Sequence, residues 1–64
     1  MTKIIQWNGA TQVWEDARYN DHWAKKVGRT TWRVWSRNEK RDWLYGDERS
    51  AIERLVELVV AQRP

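Results

Sequence analysis

Residues 29–37, RTTWRVWSR, carry β-branched or aromatic side chains at most positions and read as an extended strand. Alternation puts Thr30, Trp32, Val34 and Ser36 on one face. It puts Arg29, Thr31, Arg33, Trp35 and Arg37 on the other. One face suits a core, and the other presents guanidinium groups around an indole. The next four residues, NEKR, are a turn, and residues 42–45, DWLY, a short return strand ending at Gly46. Two registers are open. With Ser36 opposite Trp43, Trp43 and Tyr45 join the core and Leu44 lies outside. With Ser36 opposite Leu44, the two aromatics share the arginine face, because a one-residue slip exchanges the faces. The apolar count favours the first.

C-terminal to this pair, residues 47–62 form an amphipathic helix. Asp47 can cap it, or Ser50 with Glu53 can close a capping box. Ala51, Ile52, Leu55, Val56, Leu58, Val59 and Val60 cover an arc of about 200° at about 100° per residue, wider than packing on one surface needs. The helix is therefore expected to be covered on two sides, by the sheet and by a loop or a second subunit. Val56, Leu58 and Val60 are the candidate dimer or partner face.

On the N-terminal side, KIIQW and ATQVW flank Asn8-Gly9, the signal for a two-residue hairpin turn. That turn sets Ile4 opposite Val13 and Ile5 opposite Gln12, with Trp7 and Trp14 on the Ile5 face. Residues 15–28 have two readings. Tyr19, Trp23 and Val27 recur at the spacing of a short helix near 20–27, capped by Asn20 and ended by Gly28. The other reading is a polar loop with a single turn of helix. The expected fold is thus α+β in a single domain, 1–64. The N-terminal hairpin and the strand pair 29–37/42–45 form a small antiparallel sheet, packed on one C-terminal helix over about 47–62.

A chain of 64 residues buries only about 60% of its unfolded surface and needs a core dense in apolar area. It has no Phe and no Cys, but six Trp, each able to bury roughly 150–250 Å². Three or four of them in a core would supply what a larger domain gets from many aliphatics, and because each buried indole N–H needs a partner, one or two are expected at the surface. The absence of cysteine removes disulfides and thiolate metal sites. No apolar run is long enough to span a bilayer and no signal peptide opens the chain, so a cytoplasmic protein with no membrane partner is expected.

The net charge of +3 is unevenly placed. Residues 25–41 carry Lys25, Lys26, Arg29, Arg33, Arg37, Lys40 and Arg41 against Glu39 alone, a local +6, while both flanks are net acidic. Such a field favours a polyanion. Arginines bind phosphate or the acceptor edge of guanine, and an aromatic ring stacks on a base. Lys25, Lys26, Arg29, Arg33, Trp35, Arg37, Lys40 and Arg41 are therefore the candidate binding residues. Catalysis is not expected. His22 is the single His, Ser36 and Ser50 lack a base at any recognisable spacing, and no glycine-rich phosphate loop or metal-ligand set is present. No cofactor is implied.

The order of elements in residues 29–62, about half the chain, resembles the small sheet-plus-helix DNA-binding modules at the N-termini of phage-type tyrosine integrases and in AP2-type domains. That resemblance implies a sheet face laid in the major groove, with Arg33, Trp35 and Arg37 making the contacts. The leading expectation is a nucleic-acid-binding protein acting on double-stranded DNA. The alternative is a protein-interaction factor, an inhibitor or adaptor engaging an acidic protein surface, or a homodimer formed through the helix.

Overall fold

The computed structural model describes residues 4–17 and 21–62. Its strands are β1 (Ile5–Asn8), β2 (Val13–Asp16), β3 (His22–Lys26), β4 (Trp32–Ser36) and β5 (Arg41–Tyr45), followed by helix α1 (Glu48–Gln62). The strands form one antiparallel sheet in the order β1-β2-β3-β4-β5, and α1 packs across one face of it. The α+β expectation of a small antiparallel sheet backed by a C-terminal helix holds. Among the described residues, no helix is long and apolar enough to cross a membrane.

Alternation on β4 is as read: Trp32, Val34 and Ser36 are buried, whereas Arg33 is exposed and Trp35 half-buried. The strand is shorter than residues 29–37, because the amides of Val27 and Gly28 both donate to the carbonyl of Thr31 (2.9 and 3.3 Å) and close a loop over 27–31. Arg29 and Arg37 therefore stand in loops at opposite ends of β4.

Residues 22–26 correct the reading of 20–27 as a short helix: they form the central strand, paired with β2 on one side and β4 on the other. Helical spacing would have buried Trp23 with Val27, yet Val27 is exposed, and the strand buries His22 and Ala24 instead. Two ladders of backbone hydrogen bonds outweigh a weak helical period. Tyr19 and Asn20 lie outside the described residues.

Both flanking hairpins close with four residues. In β1–β2, Asn8 pairs with Val13, so the two-residue turn at Asn8-Gly9 is not formed. Asn8 Oδ1 accepts the amides of Ala10 and Thr11 (3.0 and 3.3 Å), and Gln12 takes the left-handed φ of 56° that returns the chain. The β4–β5 hairpin repeats the device. Ser36 Oγ accepts the amide of Glu39 (3.3 Å), and Lys40 has φ of 52°. The β1–β2 loop is longer than expected and the β4–β5 loop is displaced by one residue, so partners change but parity is kept. Ile5 now faces Asp16, yet Ile5, Trp7 and Trp14 still share a face. Likewise Trp43 pairs with Val34 instead of Ser36, and Trp43 and Tyr45 go to the helix side while Leu44 stays outside.

The core is Ala24, Trp32 and Val34 of the sheet against Ala51, Leu55 and Val59 of the helix. Ile4, Ile5, Trp14, Trp43, Tyr45 and Leu58 pack around it. Alanine at both the sheet and helix contacts lets the two layers approach closely, and the indoles fill the rim. Two aromatic polar groups at the rim are tied to the helix. Trp14 Nε1 donates to Glu48 Oε2 (3.2 Å), and the Tyr45 hydroxyl accepts from Arg54 Nε (2.8 Å).

Asp47 caps α1: its Oδ1 accepts the Ser50 amide at 2.7 Å, and this bond holds the carboxyl below its ordinary range. The Ser50–Glu53 box is not made, and Glu53 instead pairs with Arg49 at 3.3 Å. At the far end of the helix, Gln62 Nε2 donates to Asp21 Oδ2 (2.8 Å). Its amide oxygen therefore faces the buried His22, whose Nε2 donates to it (2.5 Å). Among the described residues, the helix packs on one side, against the sheet. Val56 and Val60 lie on one flank, Val60 being 52% exposed, while Leu58 lies on the opposite flank against the core. Those three residues do not form the common face expected of them.

Candidate nucleic-acid interface

With α1 on one side, the described residues leave the other face of the sheet open. The strand register arranges its side chains in two rows. One runs Gln6, Glu15, Trp23, Trp35, Asp42, and the other runs Asn8, Val13, Lys25, Arg33, Leu44. Neighbours within a row lie about 5 Å apart, and the rows are separated by about 6.7 Å along the strands. At the centre, Trp23 and Trp35 are direct cross-strand partners, both half-buried. Next to them sit Lys25 and Arg33, likewise partners and both exposed.

The predicted binding residues divide. Lys25, Arg33 and Trp35 share the open face. Arg29 is exposed in the loop at the Lys25–Arg33 end, and Arg37 is exposed at the start of the loop at the other end. Lys40 is exposed in that same loop. Lys26 pairs with Trp32 and so belongs to the helix side, as does Arg41, whose guanidinium lies 4.8 Å from the centre of the Trp43 ring. Arg54 stands over the same ring at 5.6 Å, so Trp43 is occupied by cations of its own chain.

Two of the three arginines have acidic neighbours. Arg33 Nε is 3.2 Å from Asp42 Oδ2, with both side chains nearly half exposed, and Arg37 is 3.9 Å from Asp21. An exposed pair of this kind contributes about 0–1 kcal/mol and is screened by salt. Either guanidinium can therefore exchange its carboxylate for a phosphate at little cost.

The sequence reading missed Trp23 and what lies beside it. A cavity of about 310 Å³ opens on this face, lined by Thr11, Val13, Glu15, Trp23 and Lys25. Glu15 is held from both sides: Gln6 Nε2 donates to its Oε2 (3.0 Å) and Asn8 Nδ2 to its Oε1 (3.3 Å). The available signal was the strand alternation of HWAKK, which sets Trp23 and Lys25 opposite His22 and Ala24. A smaller cavity of about 180 Å³ lies at the end of the helix among His22, Ser36, Glu39, Leu58 and Gln62. Among the described residues, no three acidic, His or Cys side chains gather to hold a metal ion. No protein-family model matches this chain, and neither does any curated protein or solved structure.

Proposed function

We propose that this chain binds nucleic acid through the open face of its sheet. The observation that carries the reading is the Trp23–Trp35 pair at the centre of that face, with Lys25 and Arg33 as the adjoining pair. Indole faces stack on bases of any sequence, and the cations answer the phosphates. Arg29 at one end and Arg37 at the other extend the positive track beyond the sheet. A cytoplasmic setting suits a chain without cysteine.

The test is a fluorescence-anisotropy titration with labelled DNA of mixed sequence at low salt, single-stranded and duplex. Binding should weaken steeply as salt rises. Replacing both Arg33 and Arg37 by Glu should abolish it. Undetectable binding at low salt, or binding that survives the double reversal, would remove the proposal.

A second reading has its own support. Trp7 (47% exposed) stands at the edge of the sheet, and Val60 lies uncovered on the helix flank. These apolar groups suit a protein partner or a second copy of the chain. Sedimentation that shows a dimer weakened by Trp7→Ala or Val60→Ser, with no response to DNA, would favour it.

A further inference from the structure

We infer that the cavity beside Trp23 receives a single unpaired guanine, read by the carboxylate of Glu15. This rests on the open face being a nucleic-acid interface, and it names the form and base that the face selects. The argument begins with width. Five strands spaced about 4.8 Å apart span roughly 19 Å between edges, whereas the major groove is about 12 Å wide and admits a two-stranded ribbon. Trp23 and Trp35 lie on β3 and β4, inside that span, so the flanking strands meet the duplex backbone before the indoles reach base edges. A single strand laid across the sheet meets no such obstacle, and its bases are free to stack.

The cavity then selects among bases. At about 310 Å³ it stands at the small end of ligand sites and suits one base. Trp23 supplies a stacking wall and Lys25, at the rim, a phosphate contact. Glu15 only accepts hydrogen bonds, and each of its oxygens takes one from its own sheet, from Gln6 or from Asn8. A carboxylate has about four acceptor positions. Each oxygen therefore keeps one for a ligand, and the two amides fix the direction of the pair.

Two parallel acceptors call for two adjacent N–H donors. Guanine alone among the bases offers them, at N1 and at the amino group on C2. Adenine and cytosine present one amino group beside an acceptor nitrogen, and thymine one N–H between two carbonyls, so each would set an acceptor against the carboxylate. In a duplex the guanine edge is already paired to cytosine, so only an unpaired guanine can use the site. An arginine side chain also has two parallel donors, but Lys25 in the wall and Arg33 beside it repel a cation while favouring a phosphate.

The experiment compares eight-residue oligothymidylates carrying one central guanine, adenine or hypoxanthine, titrated into the full chain at low salt. Tryptophan fluorescence and anisotropy report binding. The guanine strand should bind about tenfold tighter than the adenine strand, the scale of one good bidentate contact. Hypoxanthine, which keeps N1–H and lacks the amino group, should lose most of that advantage. Glu15→Gln should bring the guanine strand to the level of the adenine strand, with its circular dichroism confirming the fold. The hypoxanthine comparison needs no variant, so it stands even if Glu15→Gln misfolds. Equal binding of all three strands would overturn the guanine site and leave the nucleic-acid reading intact. Tighter binding of a guanine-containing duplex would overturn the choice of an unpaired base. Tighter binding of an arginine-rich peptide would assign the cavity to a protein. No binding by any oligonucleotide would overturn both readings together.

Discussion

The two faces of the central strands invert the usual order of side-chain size. Toward the helix, β3 and β4 present Ala24 and Val34, both fully buried. Toward the open side, the next residues along those strands are Trp23 and Trp35, only half-buried. Indoles bury the most apolar area of any side chain. A domain this small, if built for stability alone, would place them under the helix. Here the helix side uses small residues where the layers meet and keeps Trp14, Trp32 and Trp43 for the core and its rim. The open face keeps two Trp residues as cross-strand partners at its centre. The covered face is accounted for by folding. The other holds apolar area that folding leaves in contact with water, and that is the physical ground for reading it as a contact surface.

The comparison breaks most visibly in stability. Leu55 is fully buried at the centre of the helix contact, and Leu55→Ala should cost about 2–5 kcal/mol. A core of this size rarely supplies more than about 3–5 kcal/mol in total, so the variant should be largely unfolded at room temperature by circular dichroism. Leu44→Ala, on the open face and 62% exposed, should change stability by less than about 0.5 kcal/mol. Similar losses at the two leucines in chemical denaturation would contradict the assignment of the faces.

The next effect is in binding. Trp35→Ala should weaken single-stranded DNA binding by about 1–3 kcal/mol, the contribution of one stacked base. It should still give a folded protein, because Trp35 lies outside the core cluster. Anisotropy titration beside a thermal melt separates the two readouts. An unchanged affinity in a folded variant would show that the indole pair is not a stacking platform.

The face assignments were legible in the sequence because parity survives any register shift by an even number of residues. Trp43, Tyr45 and Leu44 went to the expected sides although the β4–β5 register moved by two residues, and Trp7 with Trp14 kept the Ile5 side. The turns were less legible. Asn-Gly favours a two-residue loop, but Asn8 spends its side chain on the amides of Ala10 and Thr11 and supports a longer one. β3 was hidden because His22 and Ala24, its buried residues, are not strong strand formers, and its pairing with two neighbours is not written in local pattern. Once β3 was missed, the cavity was out of reach, since Glu15, Trp23 and Lys25 meet only across the β2–β3 ladder. The basic cluster was visible, but its division between two faces follows from where β4 begins and ends.

The smallest effect sharpens the comparison by touching neither face. Asp47 caps the helix through the Ser50 amide, which together with the Ser50 hydroxyl lowers its pKa from an ordinary 3.8. A carboxyl lowered in the folded state contributes stability that is complete above its unfolded value. That contribution is lost as pH falls through the folded value. The thermal midpoint should therefore drop below about pH 4, with this cap as one contributor. Asparagine caps as well as aspartate but does not titrate. Asp47→Asn should match the parent near pH 7 and decline less steeply in acid, whereas Asp47→Ala should be destabilised at both. Melts monitored by circular dichroism from pH 2.5 to 7 would decide it, and equal acid slopes for parent and Asp47→Asn would show that this carboxylate does not govern the acid limb. DNA affinity at neutral pH should be the same in the parent and Asp47→Asn, because the cap lies across the sheet from Trp23 and Trp35.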